Sequence, residues 1–143
     1  MITAIVGTVI VLLCFTVVIA VARDRGPQPS DVAIAYELAW DRLDFESLWS
    51  MSGAELRDGR DRRDFVVAKR AAYERQPGLG SLAENVFVDD LAVVGDTAVV
   101  STTVALRDGT TVHNEVGLAR RSGRWLVVAY QLAPEEDARR ATP

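Results

Sequence analysis

The sequence predicts an α+β domain, about three helices packed on a four-stranded antiparallel sheet, preceded by one N-terminal transmembrane helix. Three observations carry this. Residues 2–22 are apolar and uncharged, although the chain holds 16 basic and 20 acidic residues. Residues 30–75 place apolar side chains at helical spacing. From residue 82 onward the period becomes that of strands, punctuated by Gly95-Asp96, Asp108-Gly109 and Ser122-Gly123. The expected organisation is a transmembrane helix at 1–22, a linker at 23–29, a folded domain at 30–133 and a polar tail at 134–143.

Ile2 to Ala22 would span about 31 Å as a helix, against a hydrocarbon core of roughly 30 Å. Its many Val and Ile residues disfavour a helix slightly in water. In lipid, unmet backbone groups cost far more, so the helix wins. A cleaved signal peptide would end at Ala20-Val21-Ala22, but no Lys or Arg precedes Arg23 and the apolar run is too long. A lipoprotein site at Cys14 fails because bulky Leu13 precedes it in mid-run. The lipid bilayer, through residues 2–22, is therefore the first expected partner. Cys14 reads as a small apolar packing residue. Gly7 is followed four residues later by Val11, so the close-packing dimer pattern of small residues is missing. Arg23 and Arg25 flank only the C-terminal side, which predicts a cytoplasmic domain, with an extracytoplasmic one as the alternative. Gly26-Pro27-Gln28-Pro29 is a short stiff linker reaching only about 15 Å, so the domain should sit close to the membrane.

Ser30 is a suitable N-cap for a first helix, with Asp31 in its first turn. Val32, Tyr36, Ala39, Trp40 and Leu43 then share one face. Asp44 caps a short second helix carrying Phe45, Leu48 and Trp49. Ser52-Gly53 breaks it, and a further turn runs through Ala54-Glu55-Leu56. Asp61 caps a third helix from Arg62 to about Arg75, with Phe65, Ala68, Ala72 and Tyr73 on one face, stopped by Gln76-Pro77-Gly78. Residues 82–94, 97–106, 111–120 and 124–132 read as strands joined by tight turns in a meander. Residues 97–106 and 124–132 are apolar on both sides, which suggests that both sheet faces are covered.

Three stretches resemble the NTF2-like superfamily, including its SnoaL-like and small bacterial membrane-anchored branches. They are Tyr36-Glu37-Leu38-Ala39-Trp40 with Leu43 to Trp49, the helix Phe65 to Tyr73, and the pair Gly95-Asp96-Thr97-Ala98-Val99-Val100 and Gly123-Arg124-Trp125-Leu126-Val127-Val128. The resemblance covers about residues 30–133 and implies a cone, a curved sheet wrapped around helices with a pocket between them. That fold hosts isomerases, dehydratases, ligand binders and assembly subunits, so it does not select a function. The strand that usually follows the opening helices is replaced by Ser52 to Asp58, and no catalytic residue carries over.

Composition excludes several classes. A net charge of −4 argues against nucleic-acid binding. One Cys and one His provide neither a disulfide framework nor a zinc ligand set, and no cofactor is implied. His113 and Glu115 share a strand face and could form a tuned base. They read first as a polar pair on a solvent-facing strand, since no third group specifies a reaction. Trp125 reads as core or rim packing. The run Arg57 to Asp64 sets four arginines against three aspartates and reads as a solvated loop and helix start. The leading expectation is a non-catalytic binding or assembly module for a membrane-protein partner or a second copy of itself. The alternative is a small-molecule binder or pocket enzyme, isomerase or dehydratase in type, with Tyr36, Trp40, Tyr73, His113 and Glu115 near the cavity.

Overall fold

The computed structural model describes residues 26–76 and 78–132. The expected anchor at 1–22, linker residues 23–25 and the tail at 134–143 lie outside the described residues. Among the residues described, no helix is long and apolar enough to cross a membrane. The elements are α1 (Pro29–Asp41), α2 (Phe45–Met51), a 3-10 turn (Ala54–Leu56), α3 (Arg62–Tyr73), β1 (Ala83–Val94), β2 (Thr97–Leu106), β3 (Thr111–Arg121) and β4 (Arg124–Leu132).

α1 corrects the cap read from the sequence. Gln28, not Ser30, is the cap residue, and Pro29 occupies the first helical position. Proline is suited to that place because its φ is already helical and its missing N–H has no partner to lose there. The Asp31 carboxylate accepts the Gln28 backbone N–H at 3.1 Å. α1 buries Val32, Ala33, Tyr36 and Ala39. It ends at Asp41, and Leu43, with a positive φ of 53°, turns the chain into the next helix.

Asp44 caps α2 by accepting the Ser47 N–H at 3.1 Å, and Phe45 and Leu48 enter the core. Ser52 and Gly53 then lie against the edge of β4. The segment makes one parallel bridge, Ser52 to Val127, with Gly53 N–H donating to the Val127 carbonyl at 2.7 Å. Asp61 caps α3 through the Asp64 N–H at 2.9 Å. α3 stops at Tyr73, short of Arg75, and buries Phe65 and Val66, whereas Ala72 stays exposed. The ion pairs near its start, Lys69 with Asp58 at 3.5 Å and Arg62 with Glu46, are solvent-facing and contribute little.

The sheet is an antiparallel meander in the order β1-β2-β3-β4. Ser122 and Gly123 both take positive φ (50° and 77°), as a tight right-twisting hairpin requires. The β2–β3 connection is longer than a two-residue turn. It spans four residues, held by Thr110 N–H and Oγ1 donating to Asp108 Oδ1 at 2.9 and 2.6 Å. Register shifts in β1 and between β3 and β4 bend the sheet around the helices. Ala98, Val100, Val116, Leu118 and Val127 face the helices and form one core with Tyr36, Phe45, Leu48 and Phe65.

The expectation of two covered sheet faces is corrected. Alternation puts Phe87, Val94 and Val99 on the side away from the helices, where they are 50%, 77% and 41% exposed. Among the described residues the helices cover only the concave face.

Candidate ligand cavity

At the wide end of the cone the helices and sheet diverge and leave a cavity of about 510 Å³. α1 supplies Glu37, Trp40 and Asp41, α3 supplies Tyr73, and the inner face of β2 to β4 supplies Val104, Leu106, Val112, Asn114 and Tyr130. Leu43, Leu79 and Leu82 complete an apolar rim. The volume suits a small organic molecule.

The polar floor is built around Glu37. Glu37 as a whole is only 5% exposed. Thr102 Oγ1 donates to Oε1 at 2.7 Å, and Tyr130 OH donates to Oε2 at 2.7 Å. Asn114 Nδ2 donates at 3.1 and 3.3 Å to the two oxygens, and at 3.1 Å to the Tyr130 hydroxyl. Thr102 and Asn114 are directly paired residues of β2 and β3, so the sheet register itself aims both at one point on α1. Asp41 lies nearer the rim, and its Oδ1 accepts the Leu82 and Ala83 N–H groups at 2.7 and 2.8 Å. This contact ties the start of β1 to the end of α1.

The aromatic wall is continuous. Trp40 stands 5.7 Å from Tyr73 and 6.4 Å from Tyr130, ring centre to ring centre, and nearly parallel to Tyr130. Tyr36 lies behind this wall, 5.4 Å from Tyr130, with its hydroxyl 3.4 Å from Ser52 Oγ. Burial pushes the Tyr130 phenol up, and the adjacent Glu37 charge pushes it further. Burial also raises Tyr36. Both phenols therefore stay protonated at any physiological pH and act as hydrogen-bond donors.

Of the five residues expected near a pocket, Trp40 and Tyr73 line the cavity and Tyr36 supports it from the core. His113 and Glu115 do not join them. They alternate with Val112 and Asn114, so they stand on the outer face. There Thr103 Oγ1 lies 2.8 Å from His113 Nδ1 and donates to Asp89 at 2.6 Å, and Gln131 donates to Glu115 at 3.3 Å. The residues that sequence reasoning missed are Glu37, Thr102, Asn114 and Tyr130. A signal was present. Thr102 and Asn114 each interrupt an inward-facing apolar row, in register, and Glu37 sits one residue from Tyr36 on the core side of α1.

No family profile matches the sequence, and no curated protein matches it. Solved structures do. An NTF2-like protein of Campylobacter jejuni, provisionally named a transpeptidase, superposes with a TM-score of 0.51 at 18% identity, over 71% of this chain and 97% of that one. A SEC-C motif protein of Rhodopseudomonas palustris gives 0.53 at 18% identity, over 74% and 79%. An NTF2-like protein from Shewanella baltica gives 0.50 at 14% identity, over 73% and 90%. The domain has the NTF2-like fold. At these identities the likeness speaks for the fold alone.

Proposed function

We propose that this chain is a membrane-anchored module whose NTF2-like domain binds a small molecule in the cavity above Glu37, without transforming it. The observation that carries the reading is the cavity itself: apolar and aromatic walls around one buried carboxylate held in fixed position. Polar groups so placed orient a ligand, and the walls supply the apolar burial that holds it. Binding is favoured over isomerase or dehydratase chemistry because Glu37 is already engaged by three side chains, with the Tyr130 hydroxyl donating to that carboxylate. The anchor rests on the uncharged apolar run at 2–22, and the arginines after it favour a cytoplasmic domain.

A thermal-shift screen of the full chain in mild detergent tests this, using small apolar and amphipathic compounds. Ligand at about 100 times its Kd stabilises a protein by roughly 2.7 kcal/mol, a shift of several degrees. Such a shift is expected for wild type and not for Trp40→Ala. If no compound shifts the wild type, the reading fails.

A second reading, self-association, draws on the exposed Phe87, Val94 and Val99 of the outer face. It expects a dimer by light scattering that Val99→Lys dissociates.

A further inference from the structure

We propose that the cavity selects an organic cation, a ligand with a protonated or quaternary amine on an apolar body. This rests on the small-molecule reading above and names the chemistry of the ligand.

Two observations converge. The first is charge. Among the described residues, the charged groups lining the cavity are Glu37 and Asp41, both acidic; the nearest bases stay outside the lining, Lys69 6.0 Å from the Trp40 ring centre and Arg107 at the Ala83 carbonyl. No described basic side chain pairs with Glu37. A carboxylate this buried normally faces a cation. Here neutral hydrogen-bond donors surround it instead, satisfying both oxygens without supplying a counter-charge. A carboxylate offers about four acceptor positions. Thr102 and Tyr130 occupy one each. Asn114 Nδ2 has two hydrogens and three acceptors in range, so one serves Tyr130 and the other is shared between the two carboxylate oxygens. These donors fill the four positions but carry no charge, so an ammonium group entering the cavity would meet a carboxylate whose negative charge has no counter-ion. The two carboxylates attract a cation and repel an anionic ligand.

The second observation is the aromatic wall. Tyr73 and Tyr130 stand 5.7 and 6.4 Å from Trp40, ring centre to ring centre, and all three line the cavity together with Glu37. Ring faces attract cations, Trp most strongly, and more so when water is excluded. Rings beside a carboxylate favour an amine over a neutral alcohol of the same shape. A purely apolar ligand would further desolvate the Glu37 charge without supplying a counter-ion, which carries a penalty of its own.

A matched series separates these cases: 4-phenylbutylammonium, 4-phenylbutanol and 4-phenylbutyrate, titrated against the full chain in mild detergent and followed by tryptophan fluorescence. The expected order is cation tightest, by tenfold or more over the alcohol, and anion weakest. In Glu37→Gln the cation and the alcohol should bind within about twofold of each other. The wild-type ranking alone decides the matter, so it stands even if that variant fails to fold. Alcohol binding equal to or tighter than cation binding in the wild type would overturn the cation inference and leave the cavity reading intact. No binding by any of the three, together with an empty thermal-shift screen, would overturn both.

Discussion

At the residue scale, the decisive feature is a carboxylate buried by design of the sheet register. The hydroxyl of Thr102 points at Glu37 from an inward position that would otherwise hold an apolar side chain. Replacing it with isosteric valine removes a donor to a charged group and should cost about 1.5–3 kcal/mol, read from a urea midpoint. Thr103→Val, one residue on and facing outward, should cost well under half of that. The tyrosines add a pH signature. Their protons are held more tightly in the folded chain than in the unfolded one, where the phenol keeps its ordinary value near 10.0. Their contribution is therefore fully present below about pH 10 and is lost as pH rises above it. Each such phenol steepens the decline by about 1.4 kcal/mol per pH unit. Tyr130→Phe should decline less steeply between pH 10 and 12 than wild type, whatever its starting stability.

At the element scale, caps and turns were legible and inward polar groups were not. Asp44 and Asp61 announce their helices because a carboxylate before a helical run has one obvious use, and both do accept the expected N–H groups. Asp61→Ala should destabilise the chain by about 1 kcal/mol in thermal unfolding. The Ser30 cap was misplaced because two good starters stand side by side, and proline's fixed φ prevailed. His113 and Glu115 could by residue type have formed a tuned base, but they read first as a solvent-facing polar pair, and strand alternation does place them on the outer face. Glu37, by contrast, was hidden. A glutamate in a helix is ordinarily a solvated residue, and only the tertiary pairing of Thr102 with Asn114 makes its burial tolerable. Gly53 is a further position that only packing explains. A Cβ there would lie 2.9 Å from Val128 Cγ1 and 2.5 Å from Glu55 Oε2. Gly53→Ala should cost about 1–3 kcal/mol in the same unfolding assay, because the chain must stay close to β4 to keep the bond from Gly53 N–H to Val127.

At the scale of the whole molecule, a cone with a wide end is the natural product of three helices too few and too short to fill a curved four-stranded sheet. The narrow part is closed by Leu48, Val100, Val116 and Val127, all fully buried. The wide part keeps its polar floor and an opening. The proposed anchor would add a location to this geometry. Introducing Arg140→Cys supplies a thiol outside the apolar run, where Cys14 is the only native one. A membrane-impermeant maleimide should label it only after cell lysis, as the arginine-based orientation predicts. Labelling of intact cells would reverse the orientation.

The central claim, that the cavity over Glu37 is where this protein meets its ligand, is tested most directly by methyl NMR. The full chain, carrying ¹³C-labelled Leu and Val methyls, is titrated with the compound that stabilises it most. The account predicts shifts at Leu43, Val104, Leu106 and Val112, with Val127 and outer-face Val99 unmoved. Shifts confined to Val94 and Val99, or none at the cavity methyls, would contradict it.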